Sequence, residues 1–185
     1  WSRYAGAAIE RLGGDDLREA RRLHYLFGLI YTDDHRLDEA RTLLDRADAL
    51  LVRGNAPELL RLDNGTAHGM LALATGRTAQ AYDAYHRVRV GLERVVGPDN
   101  PGLTTAIDNE AVTLVLLHRP GEAVPLYRRS LALRASVDPS GANQAFTRFS
   151  LARALRRSHD AAAALDEDRR AVALYDAQQP PRIWV

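Results

Sequence analysis

Residues 109–134 read NEAVTLVLLHRPGEAVPLYRRSLALR. Two amphipathic runs flank a short turn, His118-Arg119-Pro120-Gly121. Ala111, Val112, Leu114, Val115 and Leu117 give the first run its apolar side, and Ala123, Val124, Leu126, Tyr127, Leu131 and Leu133 the second. This spacing predicts a helix–turn–helix hairpin. One hairpin cannot bury both of its faces alone, so neighbours of the same kind are required.

The neighbours are found by stepping along the chain. From Ala123, steps of 42 and 41 backwards and 41 forwards reach Ala81, Ala40 and Ala164. The same steps align Gly28, Gly69, Ala111 and Ala152, all small. They align Phe27, His68, Glu110 and Leu151 just before them, and Tyr31, Ala72, Leu114 and Leu155 just after. They also align Leu44, Tyr85, Tyr127 and Asp168, then Ala47, Val88, Ser130 and Ala171. Small residues recur where helix backbones would approach closely, and large apolar ones where a gap needs filling. Pro57, Pro98 and Pro139 recur after helix ends, where a missing N–H is tolerated. The column His35, Gly76, His118 and His159 falls on the turn inside each pair. Histidine is enriched among non-glycine residues at positive φ, which predicts left-handed turn positions rather than ligands.

These columns resemble the tetratricopeptide repeat (TPR). The period near 42 and the linker GPDNP at 97–101 resemble its kinesin-light-chain subtype. The resemblance implies an all-α, right-handed α-α superhelix of about nine helices, forming a single array over 1–185. Residues 1–14 would be an orphan second helix, 15–56 the first repeat, 57–98 the second, 99–139 the third, and 140–185 the fourth with its tail. Helices are expected near 16–32, 37–53, 58–75, 78–96, 101–117, 120–136, 142–157 and 160–177. Ala72 and Asp168 occupy columns that the family usually keeps aromatic. Asp168 predicts a looser final repeat. Glu110 stands in a usually apolar column, so it is either buried against an arginine or marks a rotated helix.

Composition removes whole classes of function. Lys+Arg number 25 against 24 Asp+Glu, a net charge of +1, with no field suited to nucleic acid. The doublets Arg128-Arg129, Arg156-Arg157 and Arg169-Arg170 are interleaved with acids and read as solvated faces. All basic residues are arginine, which excludes a lysine nucleophile and a GK[ST] phosphate loop, and fits a GC-rich bacterial genome. There is no cysteine, so no disulfide or thiolate site, and a cytoplasmic location is expected. No run of about 18 apolar residues encodes a membrane span. Adjacent acids such as Asp15-Asp16 and Glu167-Asp168 point about 100° apart on a helix and cannot form a catalytic dyad. No HExxH or GxSxG occurs, so no catalytic residue, metal site or cofactor is expected. Trp1-Ser2-Arg3-Tyr4 is neither a signal peptide nor an initiator, so the chain is expected to be a piece of a longer protein.

What remains is binding. The resemblance implies that the first helix of each pair lines a concave groove for a protein or peptide partner. By register its candidate residues are Tyr25, Thr66, Asp108 and Phe149, then Leu29, Met70, Val112 and Arg153, with Arg156 in a third column and Asn109 beside Asp108. Asn109 resembles the groove asparagine of light-chain-type repeats; its amide can pair with a peptide backbone. Met70 suits an adaptable surface. The arginines favour an acidic or C-terminal end of the partner. The apolar members could equally pack inside a tightly coiled array. Uncovered terminal surfaces, Tyr4, Ala8, Ile9 and Leu12 at one end and the region after 177 with Ile183-Trp184 at the other, allow self-association. The expected role is a non-catalytic scaffold, the sensor or recruitment region of a larger signalling protein. The resemblance also allows a regulatory region of a bacterial serine/threonine kinase or transcriptional regulator, or a purely structural module.

Overall fold

The computed structural model describes residues 15–31, 36–138, 141 and 144–178. The expected orphan helix of 1–14, the turn residue His35, Pro139 and the Ile183-Trp184 tail lie outside the described residues. The fold is all-α. The helices are α1 (Asp15–Ile30), α2 (Leu37–Arg53), α3 (Glu58–Ala74), α4 (Thr78–Val96), α5 (Thr104–Leu116), α6 (Pro120–Ala135), α7 (Ala145–Arg157) and α8 (Ala161–Gln178). They form two compact units, Trp1–Gly97 and Pro98–Val185.

In the first unit α1 pairs with α2 and α3 with α4, while α2 also packs on α3. Helix α1 buries Leu17, Ala20, Leu23, Phe27 and Ile30, a spacing of three and four that makes one stripe. Leu17, Ala20 and Leu23 meet Ala47, Leu50 and Leu51, and Phe27 and Ile30 meet Ala40, Leu44, Ala67 and Leu71. Asp15 and Asp16 begin α1, where carboxylates favour the helix dipole, and Arg53 at the end of α2 reaches back to Asp16.

In the second unit α5 pairs with α6, α7 with α8, and α6 packs on α7. Tyr127 and Ala123 of α6 are fully buried with Ala111 and Val115 of α5. Helix α5 begins later than the expected 101, because Pro101–Leu103 forms a 3₁₀ turn. Asn100 Oδ1 accepts from the Gly102 amide at 2.8 Å, which caps that turn. Gly97 ends α4 at φ 87°, so the GPDNP linker is glycine stop, asparagine cap and proline start. Helix α7 likewise begins at Ala145 instead of 142.

The turns inside the second, third and fourth pairs share one geometry. Gly76, His118 and His159 have φ of 72°, 61° and 65°. At each, the next amide bonds to a carbonyl well back in the helix: Arg77 to Ala72 at 2.7 Å, Arg119 to Leu114 at 2.9 Å, Asp160 to Leu155 at 3.0 Å. The turn residue's own amide bonds to the carbonyl of Leu73, Val115 or Arg156. This is a Schellman end, and it satisfies carbonyls that a helix terminus leaves open.

Three columns carry residues that differ from their counterparts in the other repeats. At Gly69 an added methyl would lie 2.5 Å from the Tyr85 ring, so close approach is required there. Gly28 has nothing within 4 Å and is exposed, because its counterpart of Tyr85 is the shorter Leu44, which packs on Phe27. Glu110 is 3% exposed and has a partner, so it is a buried acid rather than a rotated one. Asp168 pairs with Arg156 across α7 and α8, where an aromatic ring would otherwise fill the seam.

Candidate functional site

In the second unit the first helices of the two pairs, α5 and α7, adjoin. On α5, Asn109 and Val112 are half-buried and share a face with the exposed Leu116, at spacings of three and four. On α7, Phe149 and Arg153 share a face with Phe146 and Arg156. Phe146 is 68% exposed and Phe149 41%. Leu116 and Phe146 extend the apolar surface beyond the residues named from sequence. Their signal is present in the period: Leu116 is seven residues after Asn109, and Phe146 three before Phe149.

The charges on this face are largely organised by the protein itself. Asp108 is buried beneath the face instead of lining it. Its Oδ2 accepts from Arg134 Nη2 of α6 at 2.7 Å and from Thr147 Oγ1 of α7 at 2.9 Å. It therefore ties three helices together. Arg156 is held by Asp168, and Arg157 Nη1 donates to the Val115 carbonyl at 3.0 Å, at the C-terminal end of α5 where a cation is favoured. Val115, which the repeat step of 41 places in the same column as Arg156, is fully buried. Arg153 is exposed and lies against the buried Tyr127 phenol. Burial pushes that phenol up to about 12, with Arg153 lowering it and Asp108 raising it.

In the first unit α1 adjoins α3. Tyr25 and Leu29 stand out from α1, both exposed. Thr66 and Met70 of α3 are half-buried; Met70 packs against the clusters around both Phe27 and Tyr85, and the Thr66 hydroxyl bonds to the Leu62 carbonyl. Each unit therefore brings its own share of the candidate residues onto two adjoining helices.

A polar relay runs between these helices. His24 Nδ1 donates to Asn64 Oδ1 at 3.1 Å, and Asn64 Nδ2 donates to Asp48 Oδ1 at 2.6 Å. His68 Nε2 donates to Asp48 Oδ2 at 2.7 Å. Asn64 is 2% exposed, so α1, α2 and α3 are pinned by a buried amide with both ends used. The Asp48 hydrogen bond holds His68 above the usual histidine value, against burial and the Arg87 charge. Burial raises Asp48, but the His68 and Asn64 bonds and the His68 charge leave it below the usual aspartate range. On another face of α3 a cleft of about 530 Å³ opens towards α4. Among the described residues there is no group of three or more acids and histidines placed to hold a metal ion, and no helix long and apolar enough to cross a membrane.

Comparison with curated proteins gives no match. Residues 58–136 match the tetratricopeptide repeat family model. Among solved structures, the chain is similar to the nearly identical TPR-like repeats of a kinesin light chain protein from Podosopora anserina. The TM-score is 0.75 at 19% identity, covering 87% of this chain and 77% of that one. A point variant of the same repeats gives 0.78 at 19% identity, over 90% and 79%. BtubC (BKLC) from P. vanneervenii gives 0.69 at 18% identity, over 88% and 70%. Residues 58–136 span the second pair and the third. The fourth pair repeats their turn geometry, and the first and fourth repeat their buried alanine columns, Ala40 with Ala47 and Ala164 with Ala171. Residues 58–136 are tetratricopeptide repeats, and the chain as a whole has the fold of kinesin-light-chain-like TPR repeats.

Proposed function

We propose that the chain is a non-catalytic scaffold that takes an extended peptide along the first-helix faces, serving as the recruitment surface of a larger signalling protein. The observation that carries this is the face of α5 and α7. Phe146, Phe149 and Leu116 are exposed there beside Arg153 and the amide of Asn109. Exposed aromatic rings beside an arginine are the side chains that dominate protein interfaces. The chemistry suits a peptide with apolar side chains and one acidic group. The test is a random-peptide display selection on the whole chain, followed by affinity measurement. Asn109→Ala and Arg153→Glu are each expected to weaken a selected peptide by roughly 1–3 kcal/mol. Unchanged affinity in both would place the binding face elsewhere.

Self-association is a second reading, favoured by α8. Leu165, Val172 and Tyr175 are exposed and lie within one face of the helix. Light scattering of the chain and of a Leu165→Ser/Val172→Ser variant separates the readings. Loss of a dimer in the variant supports association; a monomer in both removes it.

A further inference from the structure

The cleft between α3 and α4 is not used by either reading. Leu62, Ala84 and Val88 make its apolar floor, and Gly65 keeps it open; a methyl there would come to 3.0 Å from Val88. Its rim carries Arg61, Arg87 and Arg94 against one carboxylate, Glu58. Glu58 is already paired with Arg94. His68 also lines the cleft, and its charge is matched by Asp48. Arg61 and Arg87 have no hydrogen-bond or ion-pair partner among the described residues, so two positive charges are left over. Asp45 and Asp83 line an adjoining cavity but do not pair with Arg87. Arg87 stands close enough to His68 to oppose its protonation, but Asp48 and Asp45 favour it and prevail, so His68 adds no unmatched charge beside the two arginines.

We propose that this cleft binds a phosphate monoester carried on a short apolar stem. A dianion matches the surplus of two, whereas a carboxylate leaves one charge unmet. Guanidinium groups bind phosphate through paired N–H donors. The apolar floor takes the stem. This site lies on a different face of α3 from Thr66 and Met70, so it is independent of the peptide face.

The test uses the whole chain, amide-resolved NMR and calorimetry. The probes are phenyl phosphate, inorganic phosphate, phenol and an end-blocked phosphotyrosyl tripeptide. Phenyl phosphate is expected to shift the Gly65, His68, Ala84 and Val88 amides saturably, more tightly than inorganic phosphate, with phenol inert. Arg61→Gln and Arg87→Gln, both at exposed positions, should each weaken it about tenfold or more, as for a lost charged hydrogen bond. Arg128→Gln, on the other unit, should leave it unchanged. Tighter binding of the tripeptide would assign a phosphorylated side chain as the source; equal binding would assign a free monoester. The absence of a saturable shift, or equal binding by the Arg61→Gln/Arg87→Gln double variant, would overturn the proposal.

Discussion

Gly28 and Gly69 occupy one repeat column with opposite physical meaning. Gly69 is pressed against the Tyr85 ring, while Gly28 faces open space. Gly69→Ala is therefore expected to cost about 1–3 kcal/mol through overpacking. Gly28→Ala should stabilise by about 0.5–1 kcal/mol, because helical alanine loses less backbone entropy. Urea denaturation checks both, and equal signs would contradict the packing described. The Asp48–His68 pair sets a pH window. His68 titrates above its ordinary 6.5, so its contribution is complete below pH 6.5 and is lost as pH rises through the folded value. Asp48 titrates below its ordinary 3.8, so its contribution is complete above that value and is lost as pH falls through the folded one. Stability from the pair should peak between about pH 4 and 6.5. Half of the Asp48 carboxylate is exposed, so the swing is at most about 1 kcal/mol. In His68→Gln the decline above pH 6.5 should vanish from the urea midpoints.

The helices are held in pairs by their turns and across pairs by a few buried polar groups. His118 and His159 hold left-handed positions that cost an L-residue about 1–2 kcal/mol. His118→Gly and His159→Gly should each raise stability by up to about 1 kcal/mol, and Gly76→Ala should lower it by about as much. Thermal melts check the signs. Asp108 joins α5 to α6 and α7 through Arg134 and Thr147. Asp108→Ala leaves a part-buried guanidinium and a buried hydroxyl without their acceptor, at an expected cost of about 3–5 kcal/mol. Asp168→Ala breaks a far more exposed pair and should cost less than about 1 kcal/mol. Similar losses for the two would show that Asp108 is no tie. Amide hydrogen exchange in Asp108→Ala should rise in α7 as well as α5.

Over the whole molecule, the helix pairs are legible because two signals agree. The 3.6-residue period marks the stripes, and the 41–42-residue step marks the turns, so α2 and α4 begin and end where expected. The left-handed histidines are legible because a turn residue answers to its own backbone. The polar ties are not legible. Asp108 meets Thr147 across 39 positions and His24 meets Asn64 across 40, and no local pattern announces either. Register alone therefore puts Asp108 in the groove when it is a buried tie. The cationic cleft of α3 and α4 is equally hidden, because its arginines gain meaning only from which neighbours fail to pair with them. The exposed pair Phe146 and Phe149 is half-legible, since the repeat column names Phe149 and passes over its neighbour.

The central claim is that partners bind on the first-helix faces of the pairs. Amide hydrogen exchange with and without a display-selected peptide tests it most directly. Protection of α5 over 109–116 and of α7 over 146–156, with the α8 face unchanged, is the result predicted. Protection confined to the second helices α6 and α8 would contradict it.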